Sequence, residues 1–174
     1  ISLYGITKKM NEELADMYYR LYNINSLGLR FFTVYGPWGR PDMALFSFTK
    51  SILNNDKIEV YNKGNHYRSF TYIEDIITSI LLLINKYVSK IEFCEILNIG
   101  GERSIPLMEF IHTLENSLGK KAEIIYLPKQ QGDVETTYSD CTKLHSTINF
   151  QPNIDIEEGI EKFVDWYKDF NNIK

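Results

Sequence analysis

The fold turns on Leu29-Arg30-Phe31-Phe32-Thr33-Val34, a β-rich run introduced by Gly28 and apolar toward both faces, as a buried parallel strand is. Ahead of it, apolar residues recur at Ile6, Met10, Leu14, Met17, Tyr18 and Leu21, with Lys9, Glu12, Glu13, Asp16 and Arg20 on the other side. That spacing predicts an amphipathic helix of about five turns from Leu3, stopped by Asn23 and Asn25. Helix followed by buried strand is an αβ unit. The next stretch, Tyr35-Gly36-Pro37-Trp38-Gly39-Arg40-Pro41-Asp42, is a loop placed where the carboxyl end of a central strand opens into a ligand crevice.

Farther along, Met43 to Asn54 reads as a helix, Ile58 to Tyr61 as a half-exposed strand and Asn62 to Asn65 as a turn. His66 to Tyr72 alternates again, and the two strands are expected to form a small sheet of their own. Glu74 and Asp75 open an apolar helix through Ile84, with acidic residues at its positive end. Glu95 to Ile99 is a short buried strand ending at Gly100-Gly101. A helix from Pro106 to Leu118 is closed by Gly119, and Ala122 to Tyr126 is a strand. Asp140 to Ile148 is a short helix, and Asp155-x-x-Glu158 is a capping box for a last helix reaching Phe170.

With 174 residues, 44% hydrophobic and 24% charged, the chain has the composition of one soluble globular domain. A net charge of −4 gives no general attraction to nucleic acid or anionic membrane, so an anionic ligand must be held by local arginines. The longest apolar run, Ile80 to Ile84, is too short to span a bilayer, and the start has no signal-peptide pattern, so a cytoplasmic protein is expected. Cys94 and Cys141 lie far apart with no histidine at ligand spacing. They read as reduced structural thiols, and no metal site is expected. His66, His112 and His145 are scattered and read as structural. The sequence lacks an initiator methionine and contains no Gly-x-Gly-x-x-Gly, which marks it as a candidate fragment.

Tyr4 and Lys8 bring chemistry to the first helix. Four residues apart, they share one helix face, and a nearby ammonium stabilises a phenolate, turning a tyrosine into a usable base. With 12 tyrosines in the chain, composition alone produces about one such pentad, so the pair needs support from the residues downstream.

That support is a resemblance. Tyr4-x-x-x-Lys8, Arg30 to Phe46 (RFFTVYGPWGRPDMALF), Arg68 to Ile76 (RSFTYIEDI), Asn98 to Glu102 (NIGGE) and Gln131 to Val134 (QGDV) resemble, in order, the extended short-chain dehydrogenase/reductase family. Within it they are most similar to nucleotide-sugar epimerases of the UDP-glucuronate 4-epimerase type, and they cover only the C-terminal half of that family. The resemblance implies an α/β fold: the C-terminal part of a Rossmann-like parallel sheet (residues 1–35 and 73–102) interleaved with a smaller α+β nucleotide-sugar-binding domain (36–72 and 103–174).

It implies NAD as cofactor, most of whose site lies in the absent N-terminal half, and a UDP-sugar as substrate. Tyr4 would take the C4 hydroxyl proton, Lys8 would lower its pKa and bind the nicotinamide ribose, and Phe31 would touch the nicotinamide. Thr33 would face the sugar, and Arg40 would pair with a hexuronate carboxylate, unless it pairs with Asp42. Met43 and Ala44 would offer backbone groups to uracil, with Val60 and Tyr61 lining its ring. Arg68 would hold the diphosphate, and Gln130 and Asp133 ribose and phosphate. The expected reaction is UDP-glucuronate to UDP-galacturonate through a 4-keto intermediate, by a homodimer of the full-length protein serving cell-surface polysaccharide synthesis. The alternatives are another UDP-sugar epimerase, dehydratase or decarboxylase, or a non-catalytic binding or dimerisation fragment; the 174 residues alone are expected to be inactive.

Overall fold

Ser2 begins the first helix, α1 (Leu3–Tyr22): its hydroxyl accepts the Gly5 N–H at 3.1 Å, and Asn23 closes the other end in the left-handed conformation. These details come from a computed structural model, which describes residues 2–130 and 134–173. After a short turn the chain returns along the helix as β1 (Ser26–Phe31), so the first residues of α1 lie toward the carboxyl end of β1. The Arg30 guanidinium binds both oxygens of Glu12, at 2.6 and 2.7 Å, and ties the two elements together. Arg30 also holds the Glu12 carboxyl below the usual carboxylate range.

β1 pairs in parallel with β5 (Cys94–Ile99), from Ser26 opposite Cys94 to Phe31 opposite Ile99. The expected single strand Leu29 to Val34 is two strands. Val34 N–H donates to Phe32 O at 3.0 Å, a three-residue turn that swings β2 (Thr33–Tyr35) out of the first sheet. β2 joins β4 (Tyr67–Tyr72) in parallel, and β4 pairs antiparallel with β6 (Ser104–Pro106).

The small sheet expected from residues 58–72 does not form. β3 (Lys57–Tyr61) pairs in parallel with β7 (Glu123–Leu127), far away in sequence. A 3-10 turn at Asn62–Gly64 separates β3 from β4, with Asn62 and Lys63 both left-handed. Gly64 sits so close to Met108 that a Cβ would lie 2.8 Å from its sulfur, and this seat diverts the chain.

The remaining helices are α2 (Ala44–Asn54), α3 (Ile73–Tyr87), α4 (Leu107–Leu118), α5 (Thr142–Ile148) and α6 (Ile156–Phe170). The Asp155 carboxylate accepts the Glu158 N–H at 2.8 Å, as its position at the start of α6 predicts. Asp75, buried in the first turn of α3, accepts the N–H groups of Asn153 and Ile154, both at 3.0 Å, and fixes the approach to α6.

Two apolar clusters form beneath these elements. Tyr35, Val60, Phe110, Leu114, Ile160 and Phe163 belong to the first, packed by α2, α4 and α6. Ile76, Leu83, Leu97, Ile99, Cys141 and Leu144 form the second, between α3, β5 and α5. The stretch Cys141–Ile148 thus packs with residues from 73–102. Cys94 and Cys141 are both free, and burial pushes the Cys141 thiol up. No residue of α1 is buried, and its apolar face, including Leu3, Met10 and Leu14, is open. No helix among the described residues is long and apolar enough to cross a membrane.

Glu95, on β5, supplies an acid-sensitive joint. Its two carboxylate oxygens meet Lys143 of α5 at 3.0 Å and Lys90 at 3.1 Å. Hydrogen bonding to Lys143, then to Lys90 and Tyr87, pulls its pKa from 4.5 to about 2. A group depressed on folding stabilises the native state above its unfolded pKa and loses that contribution as pH falls through the folded one. Urea midpoints should therefore put Glu95→Gln below wild type at neutral pH. The gap should close as pH drops from about 4.5 toward about 2.

Candidate active site

Most of the residues singled out by the sequence line three depressions, of which the second and third share Ala44. The first is an open groove of about 870 Å³ between α1 and β1, whose walls include Tyr4, Lys8 and Phe31. Lys8 Nζ lies 5.3 Å from the centroid of the Tyr4 ring, so the helix spacing does bring ammonium and phenol together. Tyr4 is 71% exposed and presents its side chain to the groove rather than to the core.

The second depression is a cleft of about 50 Å³ lined by Thr33, Arg40, Met43 and Ala44, with Phe70 and Phe110 as its apolar floor. Arg40 is engaged with Asp42: Nε donates to Oδ1 at 3.1 Å and Nη2 to Oδ2 at 2.6 Å. The fork holds the Asp42 carboxyl below its usual range. Both side chains are exposed, so the pair is weakly held and open to competition from another carboxylate.

The third depression, about 500 Å³, runs past Ala44, Glu59, Tyr61 and His66. Tyr61 donates its hydroxyl to Glu59 at 3.1 Å on the outer face of β3. Val60 is 0% exposed and lies in the first apolar cluster, so its side chain cannot line a ring here. The period of a strand explains the correction: Ile58 and Val60 face inward while Glu59 and Tyr61 face out. His66, read from the sequence as structural, is buried beside this trough; its place in the alternating 66–72 run was the available signal.

Arg68 stands in β4. Its Nη1 donates to the carbonyls of Tyr67 and Glu135, each at 3.1 Å, beside the bridge joining Tyr67 to Thr136. Gln130 is exposed beyond the end of β7. Asp133 lies outside the described residues. Among the described residues no group of three or more His, Cys, Asp or Glu is placed to hold a metal ion.

Trp38 was missed. It lies between Pro37 and Gly39 with φ 60°, a left-handed conformation that costs a bulky residue about 1–2 kcal/mol. Its indole rests on α6, with ring centroids 5.2 Å from Trp166 and 5.1 Å from Phe170. Aromatic pairs contribute about 0.5–1.5 kcal/mol each, so two of them roughly offset the backbone cost.

A protein-family model described as "NAD dependent epimerase/dehydratase family" matches residues 1–100. The chain belongs to this family. Among curated members, Protein CapI of Staphylococcus aureus is 46% identical over 98% of this chain and 55% of its own length. The probable UDP-glucuronate 4-epimerase of Rhizobium meliloti is 39% identical over 96% of this chain and 53% of its own. Among solved structures, the UDP-glucuronic acid 4-epimerase of Bacillus cereus, in complex with UDP-glucuronic acid and NAD, superposes with a TM-score of 0.89 at 32% identity. That match covers 96% of this chain and 52% of that one. The epimerase/dehydratase chain thus spans about half the length of the curated relatives it matches, and its parallel strand pairs flanked by helices have the Rossmann-like α/β form of its neighbours.

Proposed function

We propose that these residues form the substrate-side half of an NAD-dependent UDP-sugar 4-epimerase that interconverts UDP-glucuronate and UDP-galacturonate. The observation that carries the reading is a pair of features: Tyr4, with its ring 5.3 Å from the Lys8 ammonium, is a proton acceptor on α1, and the exposed Arg40 is a carboxylate-binding cation on the loop after β2. A hexuronate needs both. Likeness to relatives named as UDP-glucuronate 4-epimerases adds support.

In this reading bound NAD supplies the hydride acceptor and donor. Tyr4, Lys8 and Phe31 share one groove and suit its nicotinamide end, while no glycine-rich dinucleotide loop occurs in the 174 residues. Tyr4 Oη takes the proton from the sugar C4 hydroxyl and later returns it. The Lys8 ammonium stabilises the phenolate between those events. Arg40 exchanges Asp42 for the sugar carboxylate, which needs such a partner because the 4-keto intermediate is a β-keto acid prone to lose carbon dioxide. Thr33 faces the sugar. Met43 and Ala44 offer backbone groups to uracil beside Tyr61, and Arg68, Gln130 and Asp133 serve the phosphate and ribose end.

The open apolar face of α1 supports a homodimer of the full-length protein, and the lack of a dinucleotide loop supports inactivity of the 174 residues alone. Incubating the full-length protein with UDP-glucuronate and following the anomeric signals by NMR tests the reaction. Signals of UDP-galacturonate are expected. Unchanged substrate, a pentose product or an accumulated 4-keto sugar would sink the assignment.

A further inference from the structure

The proposed reaction leaves Trp38 without a part, yet the structure holds it in an unusual way. Two glycines flank it closely, and neither can carry a side chain: a Cβ on Gly36 would lie 2.6 Å from Ile73 Cγ2, and one on Gly39 2.9 Å from Phe46 Cε2. The loop is thereby pressed against the body at both sides while the residue between them is left-handed and points out onto α6. Trp166 stacks on Phe170 with centroids 5.2 Å apart and meets Phe46 at 5.8 Å. Phe46 lines the cleft that Arg40 also lines. A continuous row of rings therefore connects the cleft wall, the face of α6 and the tip of the loop that bears Arg40.

We propose that Trp38 is a positioning residue: its indole clamps the 36–42 loop to α6 and so fixes Arg40 at the wall of the cleft that it lines. The inference rests on the UDP-sugar reading for its kinetic consequence but not for the contact itself. Trp38 is 74% exposed, so it adds little to the buried core, and its ring contacts are nearly cancelled by its backbone conformation. Such a residue contributes little to global stability. What it fixes is the place of the loop, and with it the place of the guanidinium two residues on.

Two substitutions separate the clamp from the backbone. Trp38→Gly tolerates the left-handed conformation and deletes the indole; Phe170→Ala leaves the loop untouched and deletes a partner ring. In the full-length protein with UDP-glucuronate, each should lower kcat/KM by about tenfold, mainly through KM. Melting temperature should be unchanged, and Trp38→Phe should recover most of the loss. Wild-type kcat/KM in Trp38→Gly overturns the proposal, as does a loss matched by a fall in melting temperature. Circular dichroism reads the contact without catalysis: Trp38→Phe and Trp166→Phe should each remove the same exciton couplet from the far-ultraviolet spectrum, because the two indoles generate it together. If the wild type turns over no UDP-glucuronate but the couplet behaves in this way, the assigned reaction fails and the clamp stands. Unrelated difference spectra from the two variants overturn the clamp.

Discussion

Tyr4→Phe in the full-length protein is expected to lower turnover of UDP-glucuronate by about 10²–10⁴-fold, the range in which a positioned proton acceptor contributes. The change keeps the ring under the Lys8 ammonium and the helix around it, and removes only the hydroxyl. Because Tyr4 is exposed and sits outside both apolar clusters, the melting temperature should hold. KM should move little, since nucleotide and carboxylate contacts are assigned to other residues. An NMR time course for wild type and variant, paired with a thermal melt, gives both readouts. Turnover equal to wild type would remove Tyr4 from the reaction.

Phe110→Ala should show the opposite pattern, destabilising the chain by about 3–5 kcal/mol. Phe110 is 0% exposed at the centre of the first cluster and stacks on Phe70 with centroids 4.6 Å apart and planes within 11°. Truncation there leaves a cavity under three helices rather than at a surface able to relax. A urea titration of wild type and variant reads the loss as a lowered midpoint. A shift below about 1 kcal/mol would mean that the cluster collapses around the gap. Phe70 and Phe110 also floor the cleft that Arg40 lines, so in the proposed reaction residual activity of the variant should fall as well.

Much of this molecule was legible in its sequence because local rules set it. Asn23, Gly119 and Asp155 mark helix ends by conformation or side-chain capping, and all three do so here. The αβ unit at the start followed from periodicity. Partner choice did not, because alternation along β3 tells which residues face inward but not that the strand beside it lies at Glu123–Leu127. The break at Phe32 was hidden for a similar reason: the residues on both sides are equally suited to strands, and only the Val34-to-Phe32 hydrogen bond separates them.

At the candidate site, the Tyr4 and Lys8 pair was readable from helix spacing, and the Arg40–Asp42 fork from two opposite charges around a proline. Val60 could have been placed inside by alternation alone. Trp38 could not be found in this way. Its indole meets rings on Trp166 and Phe170, far along the chain, and nothing in its neighbours announces that contact.

α6 holds the chain around the Arg40 loop at two points. Tyr35, at the end of β2, donates its hydroxyl to Asp155 O at 3.2 Å, and Trp38 rests on the rings farther along the same helix. During synthesis, then, Arg40 leaves the ribosome more than a hundred residues before the surface that steadies it. The shape of the cleft is tied to a contact of very long sequence separation. Substitutions at Phe170 should therefore disturb the Arg40 loop, although they fall far along the chain from it.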